Sequence, residues 1–161
     1  VEGERIPLWG TAYPLVYRPL LRGKPYAEVV ENQILLHVPE DADVDVRRAA
    51  IMALYSTQLA AAIEREAPAC EQTVGKRASL WRIRAMKTRW GSCNVRTAAI
   101  TLNLQLARYD VRALRYVITH ELIHLWVRGH DARFYAHMDA YFPDWREVRR
   151  ALNEWARTEE N

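Results

Sequence analysis

Hydrophobic positions along this chain follow two different rhythms. In the first forty residues they come in short runs broken by Pro, Gly and Tyr, and 15–17 (LVY), 27–30 (AEVV) and 33–38 (QILLHV) read as strands. Glu31 and Asn32 supply a turn between the last two, so a small N-terminal antiparallel sheet is expected. After Pro39 the period lengthens. The stretch DADVDVRRAAIMALYSTQLAAAIERE opens with aspartates suited to the positive end of a helix, then repeats apolar residues at Ile51, Leu54, Leu59 and Ile63. This predicts a helix over 44–66, followed by a connector punctuated by Pro68 and Gly75. LWRIRAM (80–86) and AITLNL (99–104) alternate like strands, with a turn-like WGSCN and Arg96 between them. From Asp110 onward the pattern is helical in three pieces, 111–127, 131–141 and 144–157, interrupted by Gly129 and Pro143. Sheet first and helices after, with no repeat or linker, describe an α+β chain.

The helix over 111–127 changes the picture. Asp110 can cap it by accepting from the free N–H groups of the first turn. Leu114, Ile118, Leu122 and Leu125 form an apolar stripe, and Tyr116, Val117, Ile123, Trp126 and Val127 widen it over most of the circumference. A helix apolar nearly all round is a buried one. Yet it carries His120, Glu121 and His124, and ionisable groups in a core need partners. Residues four apart lie one above the other, with about 6 Å of rise, so both imidazoles can reach one point. This is the H-E-x-x-H arrangement, in which a zinc ion satisfies both rings and the glutamate, turned about 100° aside, handles water. The third candidate ligand is His130. On a continuous helix it would lie ~15 Å beyond His120, so the chain must turn, and Gly129 can adopt the left-handed conformation that allows it. Three protein ligands with an open fourth position mark a catalytic zinc site. The competing reading makes His130 a surface residue at a helix start, with Asp139, Glu147 or Glu154 replacing it. His37 and His137 have no comparable setting.

Composition adds bounds. At 161 residues, half of them hydrophobic, the chain is expected to form a single domain over 1–161 without disulfide staples. Cys70 and Cys93 suit free thiols in a reducing compartment, and no apolar segment has the form of a signal peptide or a membrane span. A cytoplasmic location is expected, although the chain starts at Val1. The net charge of +3 is compatible with an anionic partner without requiring one.

The blocks MKTRWGSC (86–93), ITLNLQLA (100–107), YVITHELIHLWVRGH (116–130) and ARFYAHMDAYFPDWREVRRALN (132–153), in that order, resemble the YgjP-like zinc metallopeptidase family. The resemblance covers roughly 80–155 well and the N-terminal third in outline. It implies that His120, His124 and His130 are zinc ligands and Glu121 the general base. Ile123 and Gly129 stand where a cysteine and an asparagine are common in the family, and neither is a ligand position. The implied fold is that of a small α+β zincin, in which a sheet, expected to be the small N-terminal antiparallel one, packs on the active-site helix beside the C-terminal helices and an exposed strand pairs with an extended substrate. The segments 80–86 and 99–104 are the candidates for that strand, with Trp90 and Cys93 packing and Gly91 permitting a turn beside them.

The expected function is a zinc-dependent peptidase acting on a peptide or protein, with Tyr135, Tyr141 or Arg89 available to stabilise an oxyanion. A metzincin would carry glycine where this chain has Val127, and Met138 sits within a helical pattern instead of a Met-turn. A second possibility is a nucleotide pyrophosphatase or phosphohydrolase, with Arg82, Arg84, Lys87 and Arg89 as a basic rim. A third, suggested by resemblance to SprT-like proteins, is a non-catalytic nucleic-acid-associated module. No surface of interleaved aromatic and basic residues calls for it, so a nucleic-acid partner is not expected.

Overall fold

The computed structural model describes residues 3–160; positions 1, 2 and 161 of the expected domain span lie outside the described residues. Strands β1 (Arg5–Leu8), β2 (Thr11–Pro19), β3 (Tyr26–Val30) and β4 (Gln33–Val38) form a first sheet in the order β1-β2-β4-β3. Trp9 and Gly10, both at positive φ, make the two-residue turn between β1 and β2. The turn expected at Glu31 and Asn32 joins β3 to β4, with Glu31 at φ 53°. The sheet is not purely antiparallel, however. β2 and β4 run parallel, Leu15 facing Ile34 and Pro19 facing Val38. The chain leaving β2 crosses to the outer edge to make β3, so the return strand β4 enters beside β2 in the same direction.

Helix α1 (Val44–Val74) is capped by Asp43, whose carboxylate accepts from the Val46 N–H at 2.9 Å. It runs well past the predicted end at 66, straight through Pro68. Proline removes only one intrahelical donor, and the helix past residue 66 buries Ala67 before it and Val74 after it, extending the buried set of Leu59 and Ile63. Burial outweighs the local cost. Gly75, at φ 81°, ends the helix and donates its N–H to the Glu71 carbonyl at 2.8 Å. α1 packs on β3 and β4 and also on the later helical part of the chain.

A second sheet contains β5 (Leu80–Arg84), β6 (Gly91–Asn94) and β7 (Ala99–Asn103) in the order β5-β7-β6, with β5 parallel and β6 antiparallel to β7. GSCN, read from sequence as part of a turn, is therefore a strand. The turn lies after it, where the Asn94 carboxamide oxygen accepts from the Arg96 and Thr97 N–H groups and Ala98 takes φ 65°. A short 3-10 turn (Leu104–Arg108) leads to α2 (Val111–Ile123), α3 (Ala132–Tyr141) and α4 (Trp145–Glu160). It is this second sheet, through β6 and β7, that packs on α2, whereas the N-terminal sheet was expected there. One hydrophobic cluster, from Leu8 and Ile34 to Leu152, joins the layers.

Asn103, at the end of β7, is one of few buried polar residues. Its amide donates to the Met86 and Arg89 carbonyls at 3.0 and 2.9 Å, and its oxygen accepts from the Gln105 N–H at 3.0 Å. Its own N–H reaches the Trp90 carbonyl. These bonds hold segment 86–90 against the sheet. Replacing Asn103 with Ala leaves the two carbonyls without that donor, and urea unfolding should show a loss of about 2–3 kcal/mol.

Candidate active site

α2 begins with its Asp110 carboxylate accepting from the Arg112 N–H at 2.9 Å, and it buries Leu114, Ile118 and Leu122 completely. It ends at Ile123, one turn sooner than its apolar pattern predicts. Three hydrogen bonds at this end shorten to a three-residue reach, from His124 to Glu121, Leu125 to Leu122 and Trp126 to Ile123, before the Val127 N–H also closes on the Ile123 carbonyl. The Trp126 indole N–H donates to the Val74 carbonyl at 2.8 Å, tying this tightened end to the end of α1. Gly129 is not left-handed, and nothing lies within 4 Å of where its Cβ would stand. The reversal expected of Gly129 is therefore made by the tightened turn and by Asp131, which caps α3 by accepting from the Arg133 and Phe134 N–H groups. With α3 starting immediately after it, His130 is brought back over α2.

His130 Nε2 lies 3.1 Å from both His120 Nε2 and His124 Nε2, and the three ligand atoms lie within 4.8 Å of one another. The His124 Nδ1–H donates to the Val127 carbonyl at 3.0 Å, which leaves its Nε2 lone pair for the shared centre. One nitrogen cannot satisfy both neighbours with a single proton, so at least one pair of lone pairs converges without a hydrogen between them. A tetrahedral divalent ion with bonds of ~2.0–2.1 Å keeps its ligand nitrogens about 3.3 Å apart, so the donor set fits such a group. Among the described residues, Asp139, Glu147 and Glu154 do not join the cluster. Asp139 instead accepts from the Trp145 indole and from Arg146. His37 bonds Glu28, and His137 bonds Tyr141.

The fully buried Phe134 forms an apolar floor, its ring 4.8–4.9 Å from all three imidazoles. Burial, with help from the neighbouring imidazoles, pushes His120 down to about 3, and burial also lowers His124. Both rings are held neutral, the form that ligates metals. The Glu121 carboxylate, 6% exposed, has its Oε2 4.0 Å from His120 Nε2. Burial pushes it up to about 7 against the opposing charge of Arg89.

Gly91 makes room for that carboxylate. A Cβ there would stand 3.0 Å from Val117 Cγ1, 3.1 Å from Glu121 Cγ and 3.2 Å from Glu121 Oε2. Its value is close approach, not the turn expected of it. Beside it Cys93 is a free thiol, pushed up to about 11 by burial and the Glu121 charge. Together these groups line a cavity of about 590 Å³ that also takes in Arg89, Tyr116, Tyr135 and Arg149. Of the three oxyanion candidates, Arg89 and Tyr135 line it and Tyr141 does not. Of the two strands proposed to meet a substrate, β7 is central and paired on both sides, and β5 contributes nothing to the cavity. The edge strand on the cavity is β6, through Gly91, Ser92 and Cys93. Arg82 and Arg84 do not line it. Sequence reasoning passed over Asn103, Phe134 and Arg149. A lone asparagine in an apolar strand, and an aromatic residue one helical turn beyond a histidine, were the available signals for the first two.

Metallopeptidases are the class of protein whose fold this architecture shares. It is similar to the crystal structure of the metallopeptidase zymogen abylysin from Pyrococcus abyssi, with a TM-score of 0.51 and 21% identity over 57% of this chain and 93% of that one. It is similar also to the zymogen of jannalysin from Methanocaldococcus jannaschii, with a TM-score of 0.52 and 23% identity over 58% and 96%. No curated protein gives a significant match. Residues 1–155 match the YgjP-like metallopeptidase domain, and the chain belongs to that family. Membership implies a metal ion, with which the three-histidine cluster is compatible. No helix among the described residues is long and apolar enough to cross a membrane.

Two outcomes check this geometry. Gly91→Ala forces Glu121 or Val117 aside, and should cost about 1–3 kcal/mol of stability in urea unfolding while leaving the histidine cluster able to take up metal. In the chelated protein, Glu121 binds its proton more tightly folded than unfolded, so its contribution worsens as pH rises from about 4.5 through 7. The stability difference between Glu121→Gln and the parent should therefore move in the variant's favour between pH 4 and pH 8.

Proposed function

We propose that this chain is a zinc-dependent peptidase, one catalytic domain over 1–161 working in the cytoplasm. His120, His124 and His130 hold the ion and Glu121 is the general base. The convergence of three Nε2 atoms with a buried carboxylate beside them carries this reading. When bound, zinc supplies a Lewis acid that polarises the scissile carbonyl and acidifies water. Glu121 takes the proton from the attacking water and returns it to the leaving amine nitrogen. β6 offers its unpaired backbone edge to an extended substrate, and Arg89 and Tyr135 supply donors for the developing oxyanion. The nucleotide reading finds less support, since three of the four cations it relied on, Arg82, Arg84 and Lys87, stay outside the cavity.

Glu121→Gln should retain one zinc per chain and lose about 10²–10⁴-fold in turnover of a casein-like or quenched fluorescent peptide. His124→Ala should lose the zinc itself, measured by elemental analysis of the purified chain. Full peptidase activity in Glu121→Gln would remove the role given to that carboxylate, and phosphate release from nucleoside triphosphates without peptide cleavage would replace the peptidase reading.

A further inference from the structure

The active-site cavity does not end at the histidines. Residues 88–90, with Asn153, wall it on one side and border a second cavity of about 500 Å³ on the other. Among the described residues, that second cavity is lined by Arg48, Lys87, Arg89, Arg108 and Arg157 and by no aspartate or glutamate. The first adds Arg128 and Arg149, and among the described residues its one carboxylate is Glu121. Positive charge therefore greatly outweighs negative along this cleft, in a chain whose net charge is only +3.

Five arginines elsewhere find carboxylates. Arg65 and Arg115 share Glu66, Arg112 meets Asp144, Arg133 meets Asp131 and Arg146 meets Asp139. Among the described residues, no such pair involves Arg48, Lys87, Arg89 or Arg157, all exposed. These four like charges, gathered with no ion pair to a described carboxylate, repel one another, and the arrangement is relieved when an anion enters. Two observations favour a polypeptide as that anion. The edge of β6 in the adjoining cavity presents backbone groups that pair with an extended peptide. Of the aromatic rings lining the two cavities, Tyr109, Tyr116, Phe134 and Trp145 are buried and Tyr135 stacks on Trp145, which leaves few open faces for nucleic-acid bases to stack on.

We infer that the cleft selects peptides carrying a run of aspartate or glutamate to one side of the scissile bond, the acidic run lying in the cavity bounded by Arg48, Lys87, Arg89 and Arg157. This rests on the peptidase reading for the words "scissile bond", but the selection itself is a binding property and is tested as one. Labelled peptides sharing one central sequence, flanked on either side by a short run of Glu, Gln or Lys, are titrated against zinc-loaded Glu121→Gln chain by fluorescence anisotropy. One of the two Glu-flanked peptides should bind about tenfold tighter than its Gln counterpart, the sum of several exposed ion pairs of modest strength. The advantage should shrink towards unity in 0.5 M salt and in the double variant Lys87→Glu/Arg157→Glu, whose two sites are exposed. The same peptides are then offered to the parent enzyme. Tight acidic binding without cleavage overturns the peptidase reading and leaves the selection standing. Equal binding of Glu and Gln peptides overturns the selection, whichever is cleaved. A single-stranded oligonucleotide of equal charge that outcompetes the acidic peptide also overturns it, and assigns the cavity to nucleic acid.

Discussion

A helix buried on nearly every side cannot carry two imidazoles and a carboxylate unless the surrounding structure gives them something to face. α2 meets that constraint by turning His120, Glu121 and His124 towards a single cavity while Leu114, Ile118 and Leu122 fill the core behind them. The rest of the local structure follows from it. The chain must double back to bring a third imidazole to the same point, the floor beneath the rings must be apolar, and the wall beside the carboxylate must have no side chain. The tightened end of α2, the buried ring of Phe134 and Gly91 meet these requirements in turn.

The scaffold around the helix works by fastening a few joints. α1 runs unbroken past Pro68 so that its last carbonyls can receive the Trp126 indole, which holds the turn after α2. Asn103 closes the strand that precedes α2 and fixes segment 86–90 by hydrogen bonds to its carbonyls. That segment walls two cavities at once, which is why a structural asparagine in the sheet bears on the charge and shape of the cleft. Apart from the half-buried Arg108, the cations of the cleft sit on exposed positions whose change costs little in the core.

Several readings of the sequence failed for one physical reason, that tertiary burial overrides local signals. Pro68 reads as a helix breaker, yet Ala67 and Val74 gain more from burial than one backbone bond costs. Gly129 reads as a hinge, yet it has an ordinary backbone conformation, and the bend comes from hydrogen bonds closing over three residues instead of four. WGSC reads as a turn because glycine and serine favour turns, yet Gly91 is there for what its missing side chain admits. The parallel pairing of β2 with β4 has no local signature, since the same strand residues suit either direction.

What the sequence determined by itself was local and periodic: an α+β order of elements, a buried helix between Asp110 and the glycine-histidine turn, and the family blocks in their order. Spacing on a helix is decided by 3.6 residues per turn, so the common direction of His120 and His124 was readable without coordinates. Which sheet covers that helix, which strand forms the open edge, where His130 returns, and which cations share a cleft were decided by packing between residues distant in the chain. Such contacts depend on volume and charge brought together in space, and no stretch of residues records them alone.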